Sequence, residues 1–143
     1  MPNFTRRGFF LTAGASLARA IPLAKIRLLT DVLSTLTIDE GGRVGSLTVT
    51  QQAIAAAGAL PEHAEGFVDL PRSIRGVEVS ILYAELSDGS FKLSLRSKRN
   101  VNVECVARLF GGGGHINAAG CRMEGKIDDI RRRLLEAIRT SRE

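Results

Sequence analysis

The chain has 143 residues, 44% of them hydrophobic and 24% charged, with only four prolines; this is material for one packed domain and excludes wholesale disorder. Its formal net charge is +5, and the excess lies late: residues 1–90 carry 8 Lys/Arg against 9 Asp/Glu, whereas residues 91–143 carry 12 against 6. No apolar run reaches the length of a membrane span, and the two cysteines, Cys105 and Cys121, have neither zinc-knuckle nor Cys-x-x-Cys spacing.

Residues 1–20 admit two readings. Thr5-Arg6-Arg7-Gly8-Phe9-Phe10-Leu11 ahead of Ala18-Arg19-Ala20 has the outline of a short twin-arginine export signal. A remnant of a preceding helix and linker is the preferred reading, which leaves the chain in the cytoplasm. Ile21, Ala24, Leu28, Leu29, Val32, Leu33 and Leu36 then recur at three-to-four spacing and predict one amphipathic lead-in helix over 21–36. The turn Asp39-Glu40-Gly41-Gly42 closes this lead-in, and residues 43–143 form the principal domain.

Within that domain, 43–49 reads as a strand, and Thr50 caps a helix over 51–57. A loop rich in Gly, Pro and acidic residues leads to a β-branched strand over 77–85. Ser87-Asp88-Gly89 turns the chain into a second strand over 90–97. There Phe91, Leu93 and Leu95 face a core, and Lys92, Ser94 and Arg96 share the opposite face. Asn102 caps a helix over 102–110 with Val103, Val106, Ala107 and Phe110 inward, and Cys105 is expected as a buried thiol on its apolar side. A short strand over 121–123 and a helix over 127–140, with Ile127, Ile130, Leu134 and Ile138 inward and Arg131 to Arg133 toward solvent, complete the chain. The predicted fold class is α/β, a small mixed sheet flanked by helices.

The unusual segment is Gly111-Gly112-Gly113-Gly114-His115-Ile116-Asn117-Ala118-Ala119-Gly120. Four successive glycines cost backbone entropy, roughly 0.5–1 kcal/mol each relative to alanine in a regular element. Flexible linkers tolerate such runs, but this one lies between two firmly predicted elements, where the expectation is a backbone that a ligand approaches closely. Free peptide N–H groups would form an anion nest, and a helix starting near His115 would add its positive end. Ser94, Arg96 and Ser97 supply hydroxyls and a guanidinium suited to phosphate. His63 is read as a surface residue.

Ser94-Leu95-Arg96-Ser97, Gly112-Gly113-Gly114-His115 and Ala118-Ala119-Gly120 together resemble the DHHA1 domain of the DHH phosphoesterases, in particular bacterial oligoribonucleases that also dephosphorylate 3′-phosphoadenosine 5′-phosphate. The resemblance runs from about residue 21 to 140. It implies an amino-terminal Asp-His-His domain binding two divalent metals, commonly Mn2+, with the DHHA1 domain holding the substrate. It implies phosphate contacts at Arg96, Gly112, Gly113, Gly114 and His115, to which Ser94, Ser97 and Asn117 are added as candidates. Ile116 and Asn117 stand where many members carry basic residues. No Asp-His-His motif occurs in the sequence, so no metal or cofactor is expected on this chain and no catalytic residue is assigned. The expected partners are short RNA or DNA oligonucleotides or 3′-phosphoadenosine 5′-phosphate, with a separate metal-bearing DHH polypeptide as a further candidate and no membrane. A fragment, a split gene and a remnant all remain open. The rival reading is a standalone RNA or tRNA-binding module, similar to the terminal domain of alanyl-tRNA synthetase, working through Arg131 to Arg133.

Overall fold

The structure, a computed structural model, describes residues 20–98 and 101–142. The twin-arginine-like segment and Arg99 lie outside the described residues. Among the described residues four α-helices and six strands follow in the order α1 (Leu23–Leu33), β1 (Thr37–Asp39), β2 (Val44–Val49), α2 (Gln51–Ala56), β3 (Val79–Glu85), β4 (Phe91–Ser97), α3 (Val103–Leu109), β5 (Gly113–His115), β6 (Ala118–Met123) and α4 (Ile127–Thr140). Short 3₁₀ turns over 61–73 replace the loop expected there.

The strands form one sheet in the order β1-β2-β3-β4-β6-β5, with β2 and β3 parallel and every other pair antiparallel. This is the mixed sheet with helices that the sequence implies. The parallel pair arises because α2 and the 3₁₀ turns carry the chain back across one face before β3 begins. The β3–β4 hairpin follows from the turn at Asp88-Gly89, where Gly89 takes φ +84°.

Each face of the sheet has its own core. On one, Ile81, Leu93 and Leu95 pack with Val103, Val106 and Ala107 of α3 and with Ile130, Leu134 and Ile138 of α4. On the other, Leu47, Val49 and Leu82 pack with Leu28 and Val32 of α1, Ile54 of α2, and Phe67 and Val68 of the turns. The lead-in is therefore built into the domain, with β1 hydrogen-bonded along β2 and α1 contributing to the second core. Only Leu28 and Val32 of its apolar series are fully buried, and Ile21, Leu33 and Leu36 are exposed. The helix has 11 residues and meets the sheet with one side, so the apolar series is wider than the face that is covered.

The second layer covers only part of its face. α1, α2 and the turns lie mainly over β2 and β3, with the Phe67–Asp69 turn also reaching β4, whereas the same side of β6 and β5 lacks a helix among the described residues. Among the described residues, no helix is long and apolar enough to cross a membrane.

Candidate phosphate-binding face

Strand alternation sends Phe91, Leu93, Leu95 and Ser97 of β4 into the first core, and Lys92, Ser94 and Arg96 to the bare side. Directly opposed residues of an antiparallel pair share a face, so the register of β6 extends three rows across that side. Arg96 lies opposite Ala118, which lies opposite His115; Ser94 opposite Gly120, then Gly113; and Lys92 opposite Arg122. The bare side borders a cleft of about 770 Å³, with Ser94, Arg96, Lys92 and Arg122 on one side and Glu62 and Glu65 of the turns on another. A smaller hollow of about 480 Å³ shares Lys92, Ser94 and Arg122 with it and reaches Gly113 and Gly120.

Arg96 is half-buried, and its Nη1 donates to the carbonyl of Leu95 at 3.0 Å. Among the described residues it makes no ion pair, and Glu62, Glu65 and Glu85 line the same cleft without bridging to it. His115 is exposed at the end of the same row. The structure therefore brings Ser94, Arg96, Gly113 and His115 to one face, although β6 intervenes between β4 and β5.

The remaining candidates are placed differently. Ser97 is on the core side, 2% exposed, and its Oγ donates to the Val101 carbonyl at 2.6 Å while accepting from Asn117 Nδ2 at 2.9 Å. Ser97 and Asn117 thus clasp the end of β4 to the β5–β6 turn and do not point into the cleft. The amides of Gly111 and Gly112 donate to the carbonyls of Arg108 and Ala107 at 3.1 and 2.9 Å, so they end α3 and are not free for an anion. No helix starts near His115; Gly113–His115 is an edge strand paired to β6. Its hydrogen bonds consume the main-chain groups facing β6, and the expected nest of successive free amides is absent. Gly112 and Gly114 serve close packing instead, since a Cβ there would lie 2.1 Å from the Gly120 carbonyl oxygen and 2.5 Å from that of Ala118. A Cβ on Gly113 would meet nothing within 4 Å.

Sequence reading missed Lys92 and Arg122 as site residues. The signal was available: the two-residue period that selects Ser94 and Arg96 also selects Lys92, and on β6 it selects Ala118, Gly120 and Arg122 together. Cys105 is exposed, against expectation. Val103, Val106 and Ala107 define the buried stripe of α3, and position 105 falls on the other side of the turn. Cys121 is buried, which pushes its thiol pKa up.

Of the arginines expected on the solvent side of α4, Arg132 and Arg133 are exposed and Arg131 is half-buried. Arg131 lies 5.3 Å from the centre of the Tyr83 ring and donates to Thr48 Oγ1 at 2.7 Å. Arg133 lies 5.5 Å from the Phe110 ring, and Arg132 pairs with Asp129 at 3.7 Å. Among the described residues, no three His, Cys, Asp or Glu side chains group so as to hold a metal ion. The cleft floor offers cations and a hydroxyl, with Glu62, Glu65, Glu85 and Asp88 around it; this can hold an anion at the cations and does not fit a dimetal centre.

The DHHA1 domain model matches residues 46–140. The bifunctional oligoribonuclease and PAP phosphatase NrnA of Thermus thermophilus is 38% identical over 119 residues, covering 82% of this chain and 35% of that protein. The probable bifunctional oligoribonuclease and PAP phosphatase NrnA of Streptococcus mutans is 31% identical over 109 residues, covering 74% and 34%. The chain thus spans about a third of the length of these curated relatives. The crystal structure of an exopolyphosphatase-related protein from Bacteroides fragilis superposes with a TM-score of 0.79 at 22% identity, covering 96% of this chain and 44% of that one, and so shares the fold.

Proposed function

The chain belongs to the DHHA1 domain family and is related to the NrnA phosphoesterases, and from that premise we propose that it is the substrate-holding part of such an enzyme. Its ligands on this reading are short oligonucleotides or 3′-phosphoadenosine 5′-phosphate, held by phosphate on the bare face of β4, β6 and β5. The observation that carries the reading is the half-buried Arg96 on the cleft floor, without an ion-pair partner among the described residues and in one row with His115. A guanidinium in that position gives directed, charge-assisted donors, each worth roughly 1.5–3 kcal/mol. Ser94 adds a hydroxyl, and the histidine closes the far end of the row.

On this reading hydrolysis is the work of a DHH domain, since a two-metal displacement needs grouped metal ligands. The catalytic metals, commonly Mn2+ in the family, belong to a DHH domain, whether covalently joined or separate. The rival role as a binder of large structured RNA through α4 draws on fewer residues: Arg132 and Arg133 are exposed, but Arg131 is half-buried against Tyr83 and Thr48, and α4 packs on the side of the sheet away from the cleft.

Competition between a 5′-phosphorylated dinucleotide and a folded RNA, with Mn2+ present, tests the proposal. The protein should bind the dinucleotide more tightly and leave it intact. Preference for the folded RNA would overturn the ligand class, and metal-dependent turnover absent from a mock preparation would overturn the division of labour.

A further inference from the structure

One side of α1 serves neither a core nor the cleft. Leu28 and Val32 turn inward and pack with Leu47 of β2, whereas Leu23, Ile26, Thr30 and Leu33 follow at intervals of three, four and three residues on the opposite side. These four make a second stripe, in which Leu23, Ile26 and Leu33 are 63%, 45% and 46% exposed. No charged residue interrupts it. Its one polar member, Thr30, already spends its hydroxyl on the helix, since Oγ1 donates to the Ile26 carbonyl at 3.0 Å. Covering the stripe would therefore strand no hydroxyl proton. Exposed Ile21 and Leu36 continue the apolar surface just beyond the two ends of the helix.

Alternating intervals of three and four are those of the a and d positions of a helix pair. The stripe is also symmetric about Leu28: Leu23 stands as far before it as Leu33 stands after it, and Ile26 as far before as Thr30 after. An antiparallel pair about a two-fold axis level with Leu28 thus sets Leu23 of one copy against Leu33 of the other, and Ile26 against Thr30. The same operation brings Arg27 of each copy within two residues, about 3 Å along the axis, of the level of Asp31 of the other. Arg27 and Asp31 are both exposed, on one flank of the stripe. A contact with an unlike surface needs no such symmetry. The contact is short, for 11 residues make a helix of about 16 Å. A strip of that length and one helix wide, about 10 Å, stays below the roughly 1,000 Å² that marks a lasting interface.

We propose that the outer stripe of α1 is a self-association surface, through which two copies of the chain pair antiparallel in a weak, concentration-dependent dimer. No residue of α1 lines the cleft, so this pairing stands independent of the phosphate-binding reading above.

Sedimentation equilibrium of the full chain, from low micromolar to near-millimolar concentration, tests it. The variants are Ile26→Asp, Leu33→Asp, Arg27→Asp, the double variant Arg27→Asp with Asp31→Arg, and Leu109→Asp, which alters an exposed leucine of α3 far from the stripe. Thermal melts check that each is folded. Wild type should pass from monomer to dimer over that range, and Leu109→Asp should follow it. Ile26→Asp and Leu33→Asp should weaken pairing about ten-fold or more, as each sets carboxylates into the apolar contact of both copies. Arg27→Asp should weaken it too, and the double variant should restore it, a reading that leaves the apolar residues untouched. A wild type that stays monomeric throughout would overturn the proposal and assign the stripe to an unlike partner. So would a dimer indifferent to Ile26→Asp and Leu33→Asp, or one lost equally in Leu109→Asp. Loss in Arg27→Asp without restoration in the double variant would overturn the antiparallel arrangement.

Discussion

Gly112 and Gly113 are neighbours of identical chemistry on which the fold makes opposite demands. At Gly112 an added methyl would run into the Gly120 carbonyl at 2.1 Å and into Cys121 Cβ at 2.6 Å, both fixed by β6. Gly112→Ala should therefore lower stability by about 1–3 kcal/mol, the usual cost of overpacking, by forcing β5 off β6. Gly113→Ala meets open space at an ordinary φ and should change the melt by less than about 1 kcal/mol. Thermal or urea unfolding of the two variants checks this; equal destabilisation would mean that the glycines serve only chain flexibility. The run of four glycines is visible in the sequence, but which of them answers to packing and which to the cleft is not. That depends on the register against Ala118, Ala119 and Gly120, which a run of identical residues cannot encode. Ser97 was misleading for a related reason: its hydroxyl suits phosphate as well as it suits Val101 and Asn117, and only its odd position after Leu95 places it on the core side.

At the scale of elements, α3 determines where the glycine segment begins. Asn102 Oδ1 accepts from the Cys105 amide at 3.2 Å, and Gly111 at φ +78° ends the helix eight residues after it starts. Asn102→Ala should cost about 1 kcal/mol of stability, measured by denaturant unfolding, and a cost below about 0.3 kcal/mol would show that packing alone sets the helix start. α4 and both caps were legible because a long apolar stripe and a cap residue are local signals. β1 and β5 were not, for each has three residues and neither has a period to read. Thr37–Asp39 runs into turn chemistry and Gly113–His115 is mostly glycine. Their strand conformation comes from short hairpins with β2 and β6, in which Asp39 faces Val44, and His115 faces Ala118 across a two-residue turn. Lys92 and Arg122 were each legible from strand alternation, but they become a pair only through the register of β4 with β6.

At the scale of the whole molecule, the decisive feature is an asymmetry between the two sides of one sheet. α3 and α4 back one side, whereas on the other α1, α2 and the turns lie mainly over β2 and β3, with Phe67–Asp69 also reaching β4, and β6 and β5 carry no helix among the described residues. The late excess of basic residues therefore has two fates: Arg131 to Arg133 of α4 lie on the side away from the cleft, near rings and a carboxylate, and Arg96, Lys92 and Arg122 face the cleft. The central claim is that Arg96 and His115, 19 positions apart in sequence, act on one phosphate across β6. Titration of a labelled 5′-phosphorylated dinucleotide against wild type, Arg96→Ala and His115→Ala measures this directly. Each variant should bind about ten-fold to over a hundred-fold more weakly with its thermal melt nearly unchanged, and unchanged affinity in both would contradict the claim.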